Sequence, residues 1–388
     1  MKTAAFAVVA VLVAAACSSS PRTAGRSAKA TPVHSASWPS TSPCRPAPLA
    51  DRAAQVLIAG LAGVTTSADP LVDELVDVGV GGVFVARANV TSEAQITALL
   101  GDVRARSHHP LVVATDEEGG RVSSFAPVLG PSLSARRQAG EHSPEEVRQL
   151  ARQTGSRLAA AGVNLDLAPV ADLDAGPSRA TIGDRSFSAD PAIASRYALA
   201  QAAGLADAGV RSAVKHFPGH GRSVGDPEVT RSRVDAPLAE LAATDLLPFG
   251  SLITAGVPVV MVNHVEYAAI DPGVPASLSP LAYKLLRDVG FRGVAITDSV
   301  SMGAVNGRWT VAEATVKAVA AGADGVLVTE GGSAREMRDA LVTAVQQGRL
   351  AEDRLDQAAA RMAALGGVDP VALACQTAEV PRLAGLAR

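Results

Sequence analysis

The sequence predicts an α/β fold, a single-domain (β/α)8 TIM barrel. It does so through eight short apolar runs, helical stretches between them, and ionisable residues gathered at the carboxy-terminal ends of the runs. The runs are residues 56–61, 82–86, 111–115, 164–170, 212–216, 257–264, 294–298 and 325–329. Most are rich in valine and apolar at nearly every position. That is the pattern of parallel strands buried on both faces; a half-exposed strand would alternate. An open doubly wound sheet is the alternative, but no Gly-rich dinucleotide fingerprint follows the first run.

The intervening helices carry their own punctuation. Ser143-Pro144-Glu145-Glu146 places a capping serine, a proline at the first helical position and a glutamate at the third. Asp190-Pro191 and Ser279-Pro280 open two more helices, and Thr310 with Glu313 and Ser333 with Glu336 repeat the capping box. Gly162, Gly209, Gly290, Gly322 and Gly348 stand where a left-handed closing residue is wanted.

A barrel of this kind keeps its chemistry at the carboxy-terminal ends of its strands. The third run ends in Asp116-Glu117-Glu118-Gly119-Gly120-Arg121, the fifth in Lys215-His216, the sixth in Asn263-His264, the seventh in Asp298 and the eighth in Glu330. Solvation alone does not explain so many ionisable groups at one end.

Composition narrows the function. The chain has 388 residues, 48% of them hydrophobic, and a net charge of −3 with no basic block, so nucleic acid is not an expected partner. Seven Phe, three Tyr and two Trp are too few to line a long polysaccharide cleft with stacking platforms, so a sugar site here is expected to be short. There is no Ser-centred nucleophile elbow, and no His or Cys spacing fits a structural metal. His216 and His220 lie four apart, but Pro218-Gly219 between them argues against a helix that would place both on one face. Neither metal nor cofactor is expected. Carboxylates and cations in one pocket suit cleavage of a glycosidic bond, in which one carboxylate attacks the sugar and a proton donor assists the leaving oxygen.

The amino terminus reads as a secretory signal over residues 1–16, with Lys2 before an apolar run. At about 13 residues the run is shorter than the roughly 20 that span a bilayer. It ends in Leu12-Val13-Ala14-Ala15-Ala16-Cys17, a bacterial lipobox pattern in which Cys17 becomes the lipidated terminus; an ordinary signal peptide is the alternative. Residues 17–47, rich in Ser, Pro, Thr and Ala, read as a flexible tether, and residues 48–388 as the barrel. The expectation is a monomer tethered by its lipid to the outer face of the cell membrane. With Cys17 set aside, Cys44 and Cys375 remain, an even pair in an oxidising compartment for which a disulfide is expected; two unrelated thiols are the other reading.

Five stretches together resemble glycoside hydrolase family 3, specifically its single-domain β-N-acetylglucosaminidases that trim cell-wall sugars. They are Lys215-His216-Phe217-Pro218-Gly219-His220-Gly221, Asp116-Glu117-Glu118-Gly119-Gly120-Arg121-Val122, Asn164-Leu165-Asp166-Leu167-Ala168-Pro169-Val170, Ile182-Gly183-Asp184-Arg185-Ser186-Phe187 and Thr297-Asp298-Ser299-Val300-Ser301-Met302. The resemblance covers residues 50–365 and implies a retaining mechanism through a covalent glycosyl-enzyme. Asp298 matches the nucleophile. Asp116, Arg185, Lys215 and His216 match residues that hold the terminal sugar's hydroxyls, and Lys215 also stands where its charge would keep Asp298 ionised. His220 is expected to shape the loop. The implied substrate is a small saccharide or muropeptide.

The sequence departs from that pattern in two places. The resembled enzymes carry Asp-Ser-His on the loop after the glycines, and its Asp–His pair serves as general acid/base; here the same spacing gives Asp226-Pro227-Glu228. Ser123-Ser124-Phe125 also lacks the arginine that many relatives place before the phenylalanine. Three readings of Glu228 stay open. It acts as acid/base itself, with a pKa raised by Asp226, Asp298 or burial. Or the loop is remodelled and another residue donates the proton. Or the protein is a sugar-binding lipoprotein that turns substrate over poorly.

Overall fold

A computed structural model describes residues 44–383, apart from 175 and 177–179. The expected signal peptide at 1–16, lipidated Cys17 and tether residues up to 43 lie outside the described residues. No helix among the described residues is long and apolar enough to cross a membrane.

All eight apolar runs become strands: β1 Leu57–Gly60, β2 Gly82–Val85, β3 Val112–Thr115, β4 Leu165–Asp166, β5 Arg211–Phe217, β6 Val259–Val262, β7 Val294–Thr297 and β8 Val326–Val328. Each pairs in parallel with its sequence neighbour, β8 pairs back onto β1, and an Ile296–Gly325 bridge closes the ring between β7 and β8. The fold is a (β/α)8 barrel. Both faces of its strands are buried, which is why the runs do not alternate in the sequence. On β2, Phe84 packs into the barrel interior with Ile58, Val112, Leu165, Val259 and Leu327, while Val83 and Val85 face the surrounding helices. Met362 and Leu365, from the helix Glu352–Gly366, join the interior cluster. A Cβ on Gly325 would lie 2.8 Å from the Met362 sulfur, so this helix plugs the end where the strands begin and leaves the other end open.

The helices that follow the eight strands are α1 Pro70–Val78, α2 Glu93–Arg106, α3 Pro144–Ala161, α4 Pro191–Asp207, α5 Leu246–Thr254, α6 Pro280–Asp288, α7 Val311–Ala321 and α8 Ala334–Gln346. Capping boxes form at Ser143/Glu146 and Thr310/Glu313, and Asp190 and Ser279 cap α4 and α6 with their side chains. The expected box at Ser333 and Glu336 does not form. Ser333 ends a 3-10 turn, Gly331–Ser333, with its backbone already helical (φ −90°, ψ −2°), so its hydroxyl makes no cap bond. The five closing glycines all have positive φ, Gly162 at 102° ending α3. The compact unit begins at Cys44, which forms a disulfide with Cys375 (Cα–Cα 5.7 Å). The Ala47 amide also bonds to the Leu373 carbonyl at 2.9 Å, so residues 44–47 belong with the barrel.

Candidate active site

A cavity of about 490 Å³ opens at the carboxy-terminal ends of the strands. Asp116, Arg185, Lys215, His216, Asp226, Glu228 and Asp298 all line it, so every acid, base and sugar-holding residue expected from the sequence converges there; Glu330 does not. A larger hollow of about 630 Å³ lies among the flanks of α3, α4 and α5, away from the strand ends. The convergent ionisable groups select the smaller cavity.

The cationic side is built first. After β3 the chain reverses in a tight antiparallel hairpin, Glu117–Gly119 with Val122–Ser123. Gly119 and Gly120 have φ of 91° and 60°, and a Cβ on Gly120 would come 2.7 Å from Ser134. That reversal turns Glu118 into the cavity. The Arg185 fork, presented by the 3-10 turn Gly183–Arg185, meets both Glu118 oxygens at 2.7 Å. Lys215 pairs with Asp116 and with Glu118. Burial alone would raise the Glu118 pKa, but Arg185 and Lys215 outweigh it and hold the carboxyl well below its usual range. Lys215 is correspondingly held above its ordinary value: burial opposes the charge, and Asp116 and Glu118 restore it.

His216 sits on a buried acid. Its Nδ1 lies 2.6 Å from Asp172 Oδ2, and its Nε2 lies 3.2 Å from an Arg185 nitrogen. Arginine can only donate, so Nε2 accepts and Nδ1 donates to Asp172. The other Asp172 oxygen accepts the amides of His216 (3.2 Å) and His220 (2.7 Å). Burial works against ionising Asp172, but His216 and His220 reverse the balance and lower its pKa. Asp172 thereby fixes the opening of the loop that follows β5, where the Lys215–His216 and Phe217–Pro218 peptides are both cis. His220 belongs to this scaffold: burial, and then the neighbouring His216, push its pKa down to about 4.

Asp298 stands one residue past β7, its amide bonded to the Val262 carbonyl and its Oδ1 accepting the Ser299 amide at 2.8 Å. Burial would raise its pKa. His264, His216, the Ser299 amide and Lys215, in decreasing order, lower it below the ordinary carboxylate value. Lys215, whose direct contacts go to Asp116 and Glu118, stands last among these influences on Asp298. His264 is fully buried and lies 2.7 Å from the Ser299 carbonyl and 2.6 Å from the Ser277 hydroxyl, which fixes the turn carrying Asp298.

Glu228 comes from the long loop after β5. The Asp226 side chain accepts the Glu228 amide (3.0 Å), and the Asp226 carbonyl accepts the amides of Val229 and Thr230. This compact turn presents Glu228 at the cavity rim. Its pKa is raised, first by partial burial of the carboxyl against the cavity wall and then by Asp226; Arg185 opposes and Asp298 adds to the rise. One carboxyl is thus biased toward ionisation and another, at the same cavity, toward protonation.

A family model described as "Glycosyl hydrolase family 3 N terminal domain" matches residues 51–365. The chain belongs to glycosyl hydrolase family 3. It is 36% identical over 332 residues to "Beta-hexosaminidase LpqI" of Mycobacterium tuberculosis, covering 82% of this chain and 83% of that protein. A crystal structure of a family 3 member from Mycobacterium smegmatis is 39% identical with a TM-score of 0.77, over 82% of this chain and 97% of that one. The β-N-acetylhexosaminidase of Beutenbergia cavernae is 32% identical with a TM-score of 0.76, over 83% and 99%. The chain is a hexosaminidase-type glycoside hydrolase.

Within this family 3 site, sequence reasoning passed over Glu118 and Asp172. Glu118 was one of three consecutive acids, and only the reversal at Gly119-Gly120 distinguishes it from Asp116 and Glu117. Asp172 follows the apolar stretch 167–171 directly. The rule that singled out Asp298, an acid just past a buried strand, would have found it.

Proposed function

We propose that this family 3 enzyme is a retaining glycosidase that removes terminal β-linked N-acetylglucosamine from peptidoglycan-derived fragments, with Asp298 as nucleophile and Glu228 as acid/base. The observation that carries the reading is the opposite bias of these two carboxyls at one cavity, Asp298 lowered and Glu228 raised. An Asp298 oxygen attacks the anomeric carbon while the Glu228 proton passes to the leaving glycosidic oxygen. The resulting glycosyl ester is then broken by a water whose proton returns to Glu228, freeing the Asp298 carboxylate. Asp226 raises the proton affinity of Glu228 and orients its turn. Asp116, Arg185, Lys215 and His216 hold the sugar hydroxyls, and Leu167, Met261 and Leu327 give the cavity apolar surface for a ring face or an acetyl methyl. The lipobox pattern ending at Cys17 supports a lipid tether on the outer face of the membrane, within reach of wall fragments.

The test compares a β-linked N-acetylglucosamine disaccharide with an aryl N-acetylglucosaminide that has a good leaving group, in wild type and Glu228→Gln. General-acid assistance contributes roughly 10²–10⁴-fold where the leaving group is poor and little where it is good. Glu228→Gln is expected to lose about that much in kcat/KM, which reports glycosylation, on the disaccharide and far less in kcat/KM on the aryl substrate. Equal losses on both, or none on either, would remove Glu228 from the mechanism. Wild-type binding of both without turnover of either would instead establish the sugar-binding reading.

A further inference from the structure

The loop that carries Glu228 is seated on the segment that carries Asp298. The Gly303 amide donates to the Glu228 carbonyl at 2.9 Å, and the Ala304 amide to the Pro227 carbonyl at 3.0 Å. Gly303 is five residues past Asp298, at the start of the short turn of helix Gly303–Asn306. A Cβ built on Gly303 would lie 2.3 Å from the Val229 carbonyl oxygen and 3.1 Å from that of Glu228. Both atoms are backbone, so no rotamer change relieves the contact and any side chain at 303 must lift the loop. A second tie lies further along. Arg231, on the Glu228 loop, meets both oxygens of the buried Glu266 at 3.0 and 2.7 Å. Arg308, just beyond the Gly303 turn, meets the same carboxylate at 2.9 Å. The Glu266 amide also bonds to the Ser232 carbonyl at 2.9 Å, and Glu266–Tyr267 pairs in parallel with Arg233–Val234. Glu266 therefore joins the loop of the proton donor to the segment of the nucleophile.

We infer that Gly303 is a positioning residue for Glu228, with Glu266 and Arg231 completing the seat, so that the proton donor takes its place from the nucleophile's own segment. The inference rests on the role proposed above for Glu228. Its structural logic is that the absent side chain at 303 lets two carbonyls approach two amides. The position of the Glu228 carboxyl over the cavity follows from that backbone contact, since the donor lies on an otherwise solvent-facing loop, with Val224 and Val229 80% and 76% exposed on either side.

The test measures kcat and KM for Gly303→Ala, Arg231→Ala and Glu228→Gln on the disaccharide and on the activated aryl glycoside. Gly303→Ala is expected to lower kcat/KM on the disaccharide by about tenfold or more while leaving kcat/KM on the aryl substrate within about threefold, because kcat/KM reports glycosylation and only the disaccharide needs acid assistance in that step. Adding Glu228→Gln to Gly303→Ala is expected to cost no more in kcat/KM on the disaccharide than Glu228→Gln alone. Wild-type kcat/KM on the disaccharide, or equal losses of kcat/KM on both substrates in a folded variant, would overturn the inference. If Gly303→Ala does not fold, Arg231→Ala decides: its side chain is largely exposed, and the same substrate split at about threefold supports the seat whereas no split overturns it. Glu228→Gln separates the two failures. No split there sinks the proposed function, while a split there with none in Gly303→Ala sinks only the positioning role.

Discussion

Replacing Asp172 by asparagine tests the electrostatic scaffold under the sugar site through a single atom. Oδ1 accepts the His216 and His220 amides, and the asparagine oxygen can keep both bonds. At the Oδ2 position, 2.6 Å from His216 Nδ1, an acceptor becomes an NH2 donor. To meet it His216 must present a bare Nδ1 and move its proton to Nε2, which then faces an Arg185 nitrogen at 3.2 Å, donor against donor. No tautomer satisfies both neighbours. The loss is one charge-assisted hydrogen bond, about 1.5–3 kcal/mol, together with a buried donor left without a partner, about 1–3 kcal/mol. Partial relaxation brings the expected cost in unfolding free energy to about 3 kcal/mol. Because His216 is assigned to the sugar, its misplacement is expected to lower kcat/KM on the aryl substrate on the order of 10²-fold. Urea unfolding at neutral pH and steady-state kinetics read the two effects, and proton NMR reads the His216 Nδ1–H directly. A variant within about 0.5 kcal/mol of wild type that retains that resonance would refute the tautomer argument.

Two more predictions concern stability. His220 has a folded pKa of about 4 against about 6.5 unfolded, so between those values the unfolded chain binds the extra proton and stability falls on acidification. At pH 5 the contribution is about 2 kcal/mol, which a His220→Gln variant should not show when its unfolding free energies at pH 7 and pH 5 are compared with wild type; an identical pH dependence in both would contradict the burial argument. The disulfide between Cys44 and Cys375 closes a span of 331 residues. The double serine variant is expected to lose about 2–4 kcal/mol in thermal or chemical unfolding, with kcat unchanged because neither residue lines the cavity; a changed kcat would contradict that separation.

The barrel was legible because its strands are buried on both faces, so composition alone marks them. β4 shows the limit: the run 164–170 reads as one long strand, yet only Leu165–Asp166 is paired as strand, with the cis Ala168–Pro169 peptide just beyond. The site was legible where an ionisable residue ends an apolar run, as at Asp116, Lys215 and Asp298. It was not legible where a tertiary contact gives the role. Asp172 becomes a scaffold only through His216, and Glu118 through Arg185 and Lys215. The capping signal at Ser333 failed because the turn Gly331–Ser333 had already set its backbone helical. Gly303 had no sequence signal at all, since its contacts come from a loop more than 70 residues earlier.

The most direct test of the account is mass spectrometry of Glu228→Gln quenched during turnover of the aryl N-acetylglucosaminide. An enzyme with its nucleophile but without its acid/base forms the glycosyl ester readily and hydrolyses it slowly, so the covalent adduct accumulates after a burst of released aryl alcohol. The account predicts one N-acetylglucosaminyl group per chain, on the peptide containing Asp298. No burst and no adduct, or an adduct on another carboxylate, would contradict it.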